Sequence, residues 1–148
     1  MKVLMVCLGN ICRSPMAHGI LRERIEKGEI EATVDSAGTG DWHIGESPDS
    51  RAAAVALDNG IDISDLRARQ FREADFSDFD WIIVMDDKNY EDARNLKPDN
   101  TETQLVRLTD YHPDPAINRV PDPYLEGGFD SVFEIIRTSI DHWLQKAQ

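Results

Sequence analysis

The sequence predicts an α/β fold: one domain over residues 1–148, in which helices cover both faces of a four-stranded parallel sheet to give three layers. Strand-like runs alternate with helix-like runs along the chain, which is the pattern of a parallel sheet with crossover helices. The run at residues 81–85 is apolar throughout, as expected for a central strand buried on both faces. At 148 residues the chain has the length of one domain with a sizeable core.

Four apolar runs are predicted as strands, at residues 2–8, 32–36, 81–85 and 105–108. A helix follows the first strand, with Ser14 expected as its N-cap, Pro15 at its first position and Gly28 near its end. Apolar residues recur at helical spacing along this helix, so one of its faces should be buried.

Further helices are predicted after the second and third strands and at the end of the chain. Their expected extents are residues 45–60, a short segment at 73–79, 86–96 and 129–147. Asp86 has the residue type of an N-cap for the third of these, and Pro98 prevents its continuation. Ser131 and Glu134 have the spacing of a capping box at the start of the last helix. The apolar stripe of that helix is typical of a core-facing helix.

A segment without predicted structure, residues 110–128, is rich in Pro, Asp and Gly. Unstructured segments of this length are uncommon in compact domains and usually carry function. Open parallel sheets bind ligands at the carboxyl ends of their strands, where the strand order reverses. The loop after the first strand is therefore the expected place for a site.

Composition and charge restrict the classes of partner. The net charge of −12 argues against binding to nucleic acid and to anionic membrane surfaces. No apolar run is long enough to span a membrane, and the first residues lack the features of a signal peptide. Both cysteines lie in one loop, so no disulfide framework is predicted and we expect a cytoplasmic location. The acidic surface offers no obvious partner patch, and a monomer is one of the open oligomeric states.

The loop between the first strand and the first helix has the features of a phosphate-binding loop. It is expected to direct backbone N–H groups toward an anion at a helix N-terminus, where the helix dipole adds positive potential. Arg13 supplies a planar fork that can hold two phosphate oxygens. Cys7 is the candidate nucleophile, because the same field favours thiolate over thiol. The other expected phosphate-binding residues are Leu8, Gly9, Asn10, Ile11, Cys12 and Ser14.

Three residues of this loop have conformational or hydrogen-bonding roles in this interpretation. Gly9 and Asn10 both tolerate a positive φ. Asn10 either holds the loop in shape or is a plain turn residue, and both interpretations stay open. Ser14 is able to donate a hydrogen bond to the Cys7 sulfur while it caps the helix.

Other kinds of phosphate or metal site are disfavoured. The loop has no Lys and does not match G-x4-G-K-[ST], which argues against binding of a nucleoside triphosphate. The four histidines are scattered, and no His, Cys and carboxylate group has the spacing of metal ligands. We therefore expect neither a metal nor another cofactor. Cys7 and Cys12 do not form the Cys-x-x-Cys motif of thioredoxin-like proteins.

Asp122 is the best candidate for the acid that cleavage of a phosphate ester requires. A thiolate that displaces the ester needs an acid for the leaving oxygen and later a base for water, and one carboxyl group can do both. Pro121 and Pro123 hold Asp122 in an extended conformation, and Tyr124 offers an aromatic wall. On the residues alone, a Pro/Asp turn with an exposed Tyr is the plainer interpretation.

These motifs resemble those of the low-molecular-weight protein tyrosine phosphatases. That family carries a Cys-x5-Arg-Ser loop near its N-terminus and an Asp-Pro-Tyr near its C-terminus, which match Cys7 to Ser14 and Asp122 to Tyr124. The resemblance implies hydrolysis of phosphotyrosine in protein substrates, and of small aryl phosphates, through a cysteinyl-phosphate intermediate without a metal. It makes Asp122 the general acid and places Tyr124 at the mouth of the cleft.

The resemblance extends over nearly the whole chain and implies three further site residues. Ser36 would help to hold the catalytic loop, and Asp86 would fix the loop arginine. Trp42 would border the cleft so that it and Tyr124 sandwich a phenyl ring, which admits phosphotyrosine better than the shorter phosphoserine. Without the resemblance, Trp42 has a plainer interpretation as a partly buried loop aromatic.

Two positions, Leu125 and Ile11, differ from some relatives, and a third, Cys12, has two possible interpretations. Leu125 stands where several relatives have a second Tyr, which argues against regulation by phosphorylation of a tyrosine pair. Ile11 stands where relatives that prefer phosphoarginine tend to carry Thr, and its apolar side chain favours an aryl phosphate. In the family, a cysteine at the position of Cys12 can form a disulfide with the nucleophile under peroxide, which would protect Cys7 from irreversible oxidation. Cys12 is otherwise a small buried residue.

Two rival functions are weaker. Arsenate reductases of one class share this fold and loop but need further cysteines downstream, and none follows Cys12. A non-catalytic phosphate-binding module could keep Arg13 and the loop amides, but it would have no use for both Cys7 and Asp122. Absence of turnover would favour that module.

Overall fold

A computed structural model describes residues 1–148 and contains a four-stranded, all-parallel sheet in the order β2-β1-β3-β4. The strands are β1 (Lys2–Cys7), β2 (Thr33–Gly38), β3 (Trp81–Val84) and β4 (Gln104–Arg107). The helices are α1 (Arg13–Glu26), α2 (Ser50–Asp58), α3 (Asp75–Asp78), α4 (Asp87–Leu96), α5 (Pro123–Glu126) and α6 (Phe129–Ala147). The predicted parallel sheet is confirmed, and every strand lies within two residues of its expected bounds.

β1 and β3 occupy the middle of the sheet, and apart from the exposed Lys2 and the half-buried Trp81 their residues are buried. In β1, Val3 and Met5 point into a larger core shared with α1, α2 and α6. Leu4 and Val6 point into a smaller core shared with α3 and α4. The sheet is thus covered on both sides, as the apolar run in β3 indicates. No helix is both long enough and apolar enough to cross a membrane.

The start of α1 differs from the prediction. The helix begins at Arg13 with Cys12 in the cap position, and no side chain caps it. Ser14 lies inside the first turn, with its hydroxyl 3.1 Å from the Cys7 sulfur and 2.7 Å from the Asn10 side-chain nitrogen. The expected cap at Ser14 is therefore wrong, because these tertiary partners take its hydroxyl away from the helix backbone.

The starts of α2 and α6 also differ from the prediction. α2 begins directly after Asp49, whose side chain caps it, and not at residues 45–48. α6 begins directly after Gly128, which has a φ of +73°. The capping box predicted from Ser131 and Glu134 is wrong, since both residues lie within the helix. The apolar stripe of α6 is buried as predicted.

Candidate active site

Asn10 shapes the loop between β1 and α1. It is buried and has a φ of +56°, a left-handed conformation that Asn adopts more readily than most residues. Its side-chain nitrogen donates to Ser14 Oγ at 2.7 Å, and its side-chain oxygen accepts from the Arg69 backbone nitrogen at 3.0 Å. Of the two interpretations of Asn10, the structure supports the loop-shaping one.

The Cys7 sulfur lies at the carboxyl end of β1, 3.1 Å from Ser14 Oγ. Because Asn10 donates to this hydroxyl, the hydroxyl hydrogen itself is available for the sulfur. The alternative acceptor, the Ala37 carbonyl, is farther away at 3.5 Å. The hydroxyl is therefore placed to donate a hydrogen bond to the sulfur, the candidate nucleophilic atom.

The end of β2 closes against the loop from the other side. The Thr39 nitrogen donates to the Cys7 carbonyl at 2.9 Å, and the Gly40 nitrogen donates to the Leu8 carbonyl at 2.8 Å. A Cβ at Gly38 would lie only 2.8 Å from the Leu8 oxygen. Glycine is needed at this position because any side chain would displace the loop backbone.

Arg13 is buried at the base of α1 and is fixed by two acceptors from other parts of the chain. Its Nη1 donates to Asp86 Oδ2 at 2.6 Å and to the Val120 carbonyl at 3.0 Å. The other Asp86 oxygen accepts from the Asn89 backbone nitrogen at 2.8 Å, which caps α4 and fixes the carboxylate in turn. Arg13 Nη2 lies 3.9 Å from Asp122 Oδ2. The arginine and the candidate acid therefore face the same space.

The positive charge of Arg13 is stable in this environment. Burial opposes the charge, but the Cys7 sulfur and the hydrogen-bonded Asp86 carboxylate outweigh burial and raise the pKa of Arg13 above its ordinary value. Since Nη1 donates to Asp86 and to the Val120 carbonyl, the other N–H groups of Arg13 are available for phosphate oxygens.

Asp122 is the N-cap residue of the short helix α5. Its Oδ1 accepts from the Tyr124 backbone nitrogen at 3.1 Å. Its backbone nitrogen lies 3.3 Å from Glu126 Oε2. Both ends of the residue are therefore held, and Oδ2 is the oxygen without a backbone partner.

These groups surround a cleft of about 260 Å³. Cys7, 2% exposed, lies at its floor, while Trp42 and Tyr124 stand at its mouth and are 67% and 51% exposed. The other lining residues are Leu8, Gly9, Ile11, Cys12, Arg13, His43, Asp122 and Leu125. The cleft thus combines a charged floor with largely apolar walls.

The sequence matches the family model for low molecular weight phosphotyrosine protein phosphatases over residues 2–148. The chain belongs to this family. It is 41% identical to the low molecular weight protein-tyrosine-phosphatase YfkJ of Bacillus subtilis, over 99% of this chain and 96% of that protein. It is 40% identical to low molecular weight phosphotyrosine protein phosphatase 1 of Drosophila melanogaster, over 86% of this chain and 82% of that protein. Members of the family are hydrolases that act on phosphotyrosine.

Solved structures of the phosphatase family have the same fold. The crystal structure of YfkJ from Bacillus subtilis superposes with a TM-score of 0.93 at 41% identity, covering all of this chain (100%) and 94% of the other. The structure of the Drosophila arginine phosphatase DARP superposes with a TM-score of 0.94 at 30% identity, covering 100% and 98%. The fold and the family predicted from the sequence are therefore confirmed.

In this member of the phosphatase family, Cys12 is buried and lines the cleft with Cys7, the candidate nucleophile. Burial, together with the negative charges of Asp49, Cys7 and Asp122, raises the pKa of the Cys12 thiol far above its ordinary value. Cys12 is therefore a neutral thiol at physiological pH and is not a second nucleophile. Both cysteines are free thiols.

Ser36 lies beside α1, and its hydroxyl makes no hydrogen bond to the phosphate-binding loop. Its Oγ is 2.9 Å from His18 Nδ1, one helical turn beyond Ser14. Burial lowers the pKa of His18 to about 4, so the imidazole is neutral at physiological pH. The role in holding the loop that the resemblance implies for Ser36 is thus limited to indirect contact through α1.

His43 is a cleft residue that the sequence analysis missed. Its Nδ1 lies 2.6 Å from Glu46 Oε2, and its ring packs against Gly9 so closely that a Cβ there would be 3.0 Å from His43 Cδ2. Its position next to Trp42 was the signal in the sequence that could have identified it.

No three His, Cys, Asp or Glu side chains are arranged to hold a metal ion.

Arg69 is the second residue that the sequence analysis missed. Its backbone nitrogen holds Asn10, and its guanidinium pairs with the fully buried Asp75 at 3.0 Å and with Asp35 at 3.1 Å. It lies in the segment at residues 66–71, whose sequence pattern does not indicate one kind of secondary structure. Only a tertiary contact connects this segment to the loop.

Proposed function

We propose that this chain hydrolyses phosphotyrosine in proteins, and small aryl phosphates, through a cysteinyl-phosphate intermediate on Cys7. The observation that carries the proposal is the convergence of Cys7, Arg13 and Asp122 on one cleft with aromatic residues at its mouth. Membership of the phosphotyrosine phosphatase family supports the same reaction.

In the first step the Cys7 thiolate attacks the phosphorus atom. The S–P bond forms as the bond between phosphorus and the tyrosine oxygen breaks. Arg13 and the loop amides hold the three non-bridging oxygens, which carry the charge of the transition state. Asp122 gives its proton to the leaving phenolic oxygen. We assign that proton to Oδ2, because Oδ1 accepts from the Tyr124 nitrogen.

In the second step water attacks the phosphorus of the thiophosphate. The Asp122 carboxylate takes a proton from that water, the P–O bond forms and the S–P bond breaks. Phosphate leaves, and Cys7 returns as a thiolate that Ser14 Oγ can stabilise from 3.1 Å. The acid and the base are thus one residue used twice. Every group that these two steps require is a residue of this chain, so the proposal includes neither a metal nor a cofactor.

The walls of the cleft favour an aryl phosphate. Trp42 and Tyr124 stand at the mouth while Cys7 lies at the floor, so the phosphate must be presented at the end of a long side chain. A phenyl ring suits the apolar walls, and a deep floor favours phosphotyrosine over the shorter phosphoserine. Ile11 adds an apolar surface to the lining, which favours phosphotyrosine over phosphoarginine.

The proposal is tested by hydrolysis of p-nitrophenyl phosphate and of a phosphotyrosine peptide in excess chelator, with the wild type and with Cys7→Ser. Turnover by the wild type that disappears in Cys7→Ser is the expected result. No turnover by either protein, with phosphate or vanadate still bound, would instead indicate a phosphate-binding module. Turnover that chelator abolishes would contradict the metal-free mechanism.

A further inference from the structure

The mouth of the cleft has an apolar rim, which we define as Trp42, Ile44, Tyr124 and Leu125. Leu125 lines the cleft and is 76% exposed, and Ile44, in the same turn as Trp42, is 58% exposed. Large apolar side chains that are exposed together usually mark a surface of interaction. Trp42, Tyr124 and Leu125 also line the cleft, so whatever enters the cleft meets these three side chains of the rim.

Two arginines beside the rim are paired with carboxylates. The pairs are Arg51 with Asp49 at 3.0 Å and Arg119 with Glu126 at 2.9 Å. Asp41, directly before Trp42, forms no ion pair, and the whole chain carries a net charge of −12. An acidic side chain that arrives at the rim therefore meets the field of a negatively charged chain, and these two arginines already hold carboxylates.

We propose that the apolar rim binds the polypeptide that flanks the phosphotyrosine and selects sites with an apolar residue directly beside it. Acidic neighbours are disfavoured. This inference rests on the proposed function and adds the sequence preference of its protein substrates.

The geometry gives the physical reason. With the phosphate at Cys7 and the ring between the walls, the backbone of the phosphotyrosine lies at the mouth, and its neighbouring side chains lie over Leu125 or Ile44. An apolar neighbour removes the apolar surface of both partners from water, which is favourable. An Asp or Glu neighbour makes no such contact and is disfavoured by the net negative charge of the chain.

The test uses phosphotyrosine peptides that differ only in the residue directly before or directly after the phosphotyrosine, which is Leu, Gln or Asp. For each protein, kcat/KM of a peptide is divided by that of p-nitrophenyl phosphate, which has no flanking residue. We expect the order Leu, Gln, Asp at one or both positions, with Leu preferred over Asp by about tenfold. Equal values for the three peptides at both positions would overturn the proposal.

Leu125→Lys tests whether the rim is the source of the preference. It should reduce the Leu-to-Asp ratio by about fivefold or more, because it removes an apolar contact and adds a free cation. Leu57→Lys is the matched control, since Leu57 is similarly exposed at 63% but lies on α2 outside the cleft. The same ratio in both variants would overturn the role of the rim.

If p-nitrophenyl phosphate is hydrolysed while the peptides are not distinguished, only this inference fails. If no substrate is hydrolysed, the proposed function fails as well.

Discussion

Arg119 and Glu126 form a bidentate ion pair across the base of the segment that carries Asp122. Arg119 Nη1 and Nη2 lie 2.9 and 3.0 Å from the two Glu126 oxygens. One of these oxygens also accepts from the Asp122 backbone nitrogen at 3.3 Å. The hydrogen bond from Arg119 lowers the pKa of Glu126 below its ordinary value, so the pair stays ionised. Next to Arg119, the Val120 nitrogen donates to the Met85 carbonyl at 2.9 Å. Both ends of the acid segment are therefore anchored.

Glu126→Gln should lower kcat by about threefold to tenfold with little change in KM, because Asp122 is less well held while substrate binding is unaffected. The effect is modest because exposed ion pairs are weak. It should be larger for poor leaving groups, which depend most on the acid. Glu134→Gln is the control, since Glu134 pairs with Arg137 on α6, outside the cleft. An equal loss in both variants would show that Glu126 does not position Asp122.

Arg13→Lys should reduce kcat/KM for p-nitrophenyl phosphate by about 10²-fold or more, because Lys has no planar fork and cannot make bidentate contacts. Phosphate, measured as a competitive inhibitor, should also bind more weakly. The matched control is Arg22→Lys, whose arginine pairs with Asp65 on the surface. Near-normal turnover by Arg13→Lys would contradict the role assigned to Arg13.

Asp122→Asn should slow turnover by about 10²–10⁴-fold, because the leaving oxygen loses its proton donor. The loss should grow as the pKa of the leaving phenol rises, and it is measured with a series of substituted phenyl phosphates. A loss of the same size for every phenol would mean that Asp122 is not the acid.

His18 should make stability depend on pH. Its pKa is about 4 in the folded chain and about 6.5 when unfolded, so the unfolded chain binds more protons between these values. The free energy of unfolding is therefore largest above pH 6.5, and it decreases by up to roughly 3 kcal/mol as the pH falls toward 4. Urea unfolding at pH 7 and pH 5 measures the loss. His18→Gln should lose less stability over this interval than the wild type, and the control His112→Gln should behave like the wild type. Equal losses in all three would refute the role of His18.

Cys12→Ser tests the proposed protection of Cys7 from oxidation. After peroxide and then thiol treatment, the wild type should recover more activity than the variant, because a Cys7–Cys12 disulfide is reversible and higher oxidation states of Cys7 are not. If the variant recovers as much activity as the wild type, Cys12 does not protect Cys7 and is only a small buried residue.

Much of the fold and of the candidate site could be predicted from local sequence. The run at residues 81–85 identified a central strand because only a strand covered on both faces is apolar throughout. Cys7, Arg13 and Ser14 lie within eight residues, so their chemistry is encoded by spacing. The cap expected at Ser14 is the instructive error. Its hydroxyl can bind a helix backbone or a sulfur, and the choice depends on what the fold places within reach.

The sequence by itself therefore determined the parallel sheet, the loop between β1 and α1 and the candidate nucleophile in it, because strand burial and loop chemistry depend on adjacent residues. The distant groups that hold that loop are not contained in residue spacing: the family resemblance implied Asp86, and only the tertiary structure revealed Arg69. Arg69 holds Asn10 from 59 positions away, and Asp86 holds Arg13 from 73. Such contacts arise where chain segments that are far apart in sequence meet at the carboxyl edge of one sheet, and their hydrogen bonds depend on distances that only the folded chain sets.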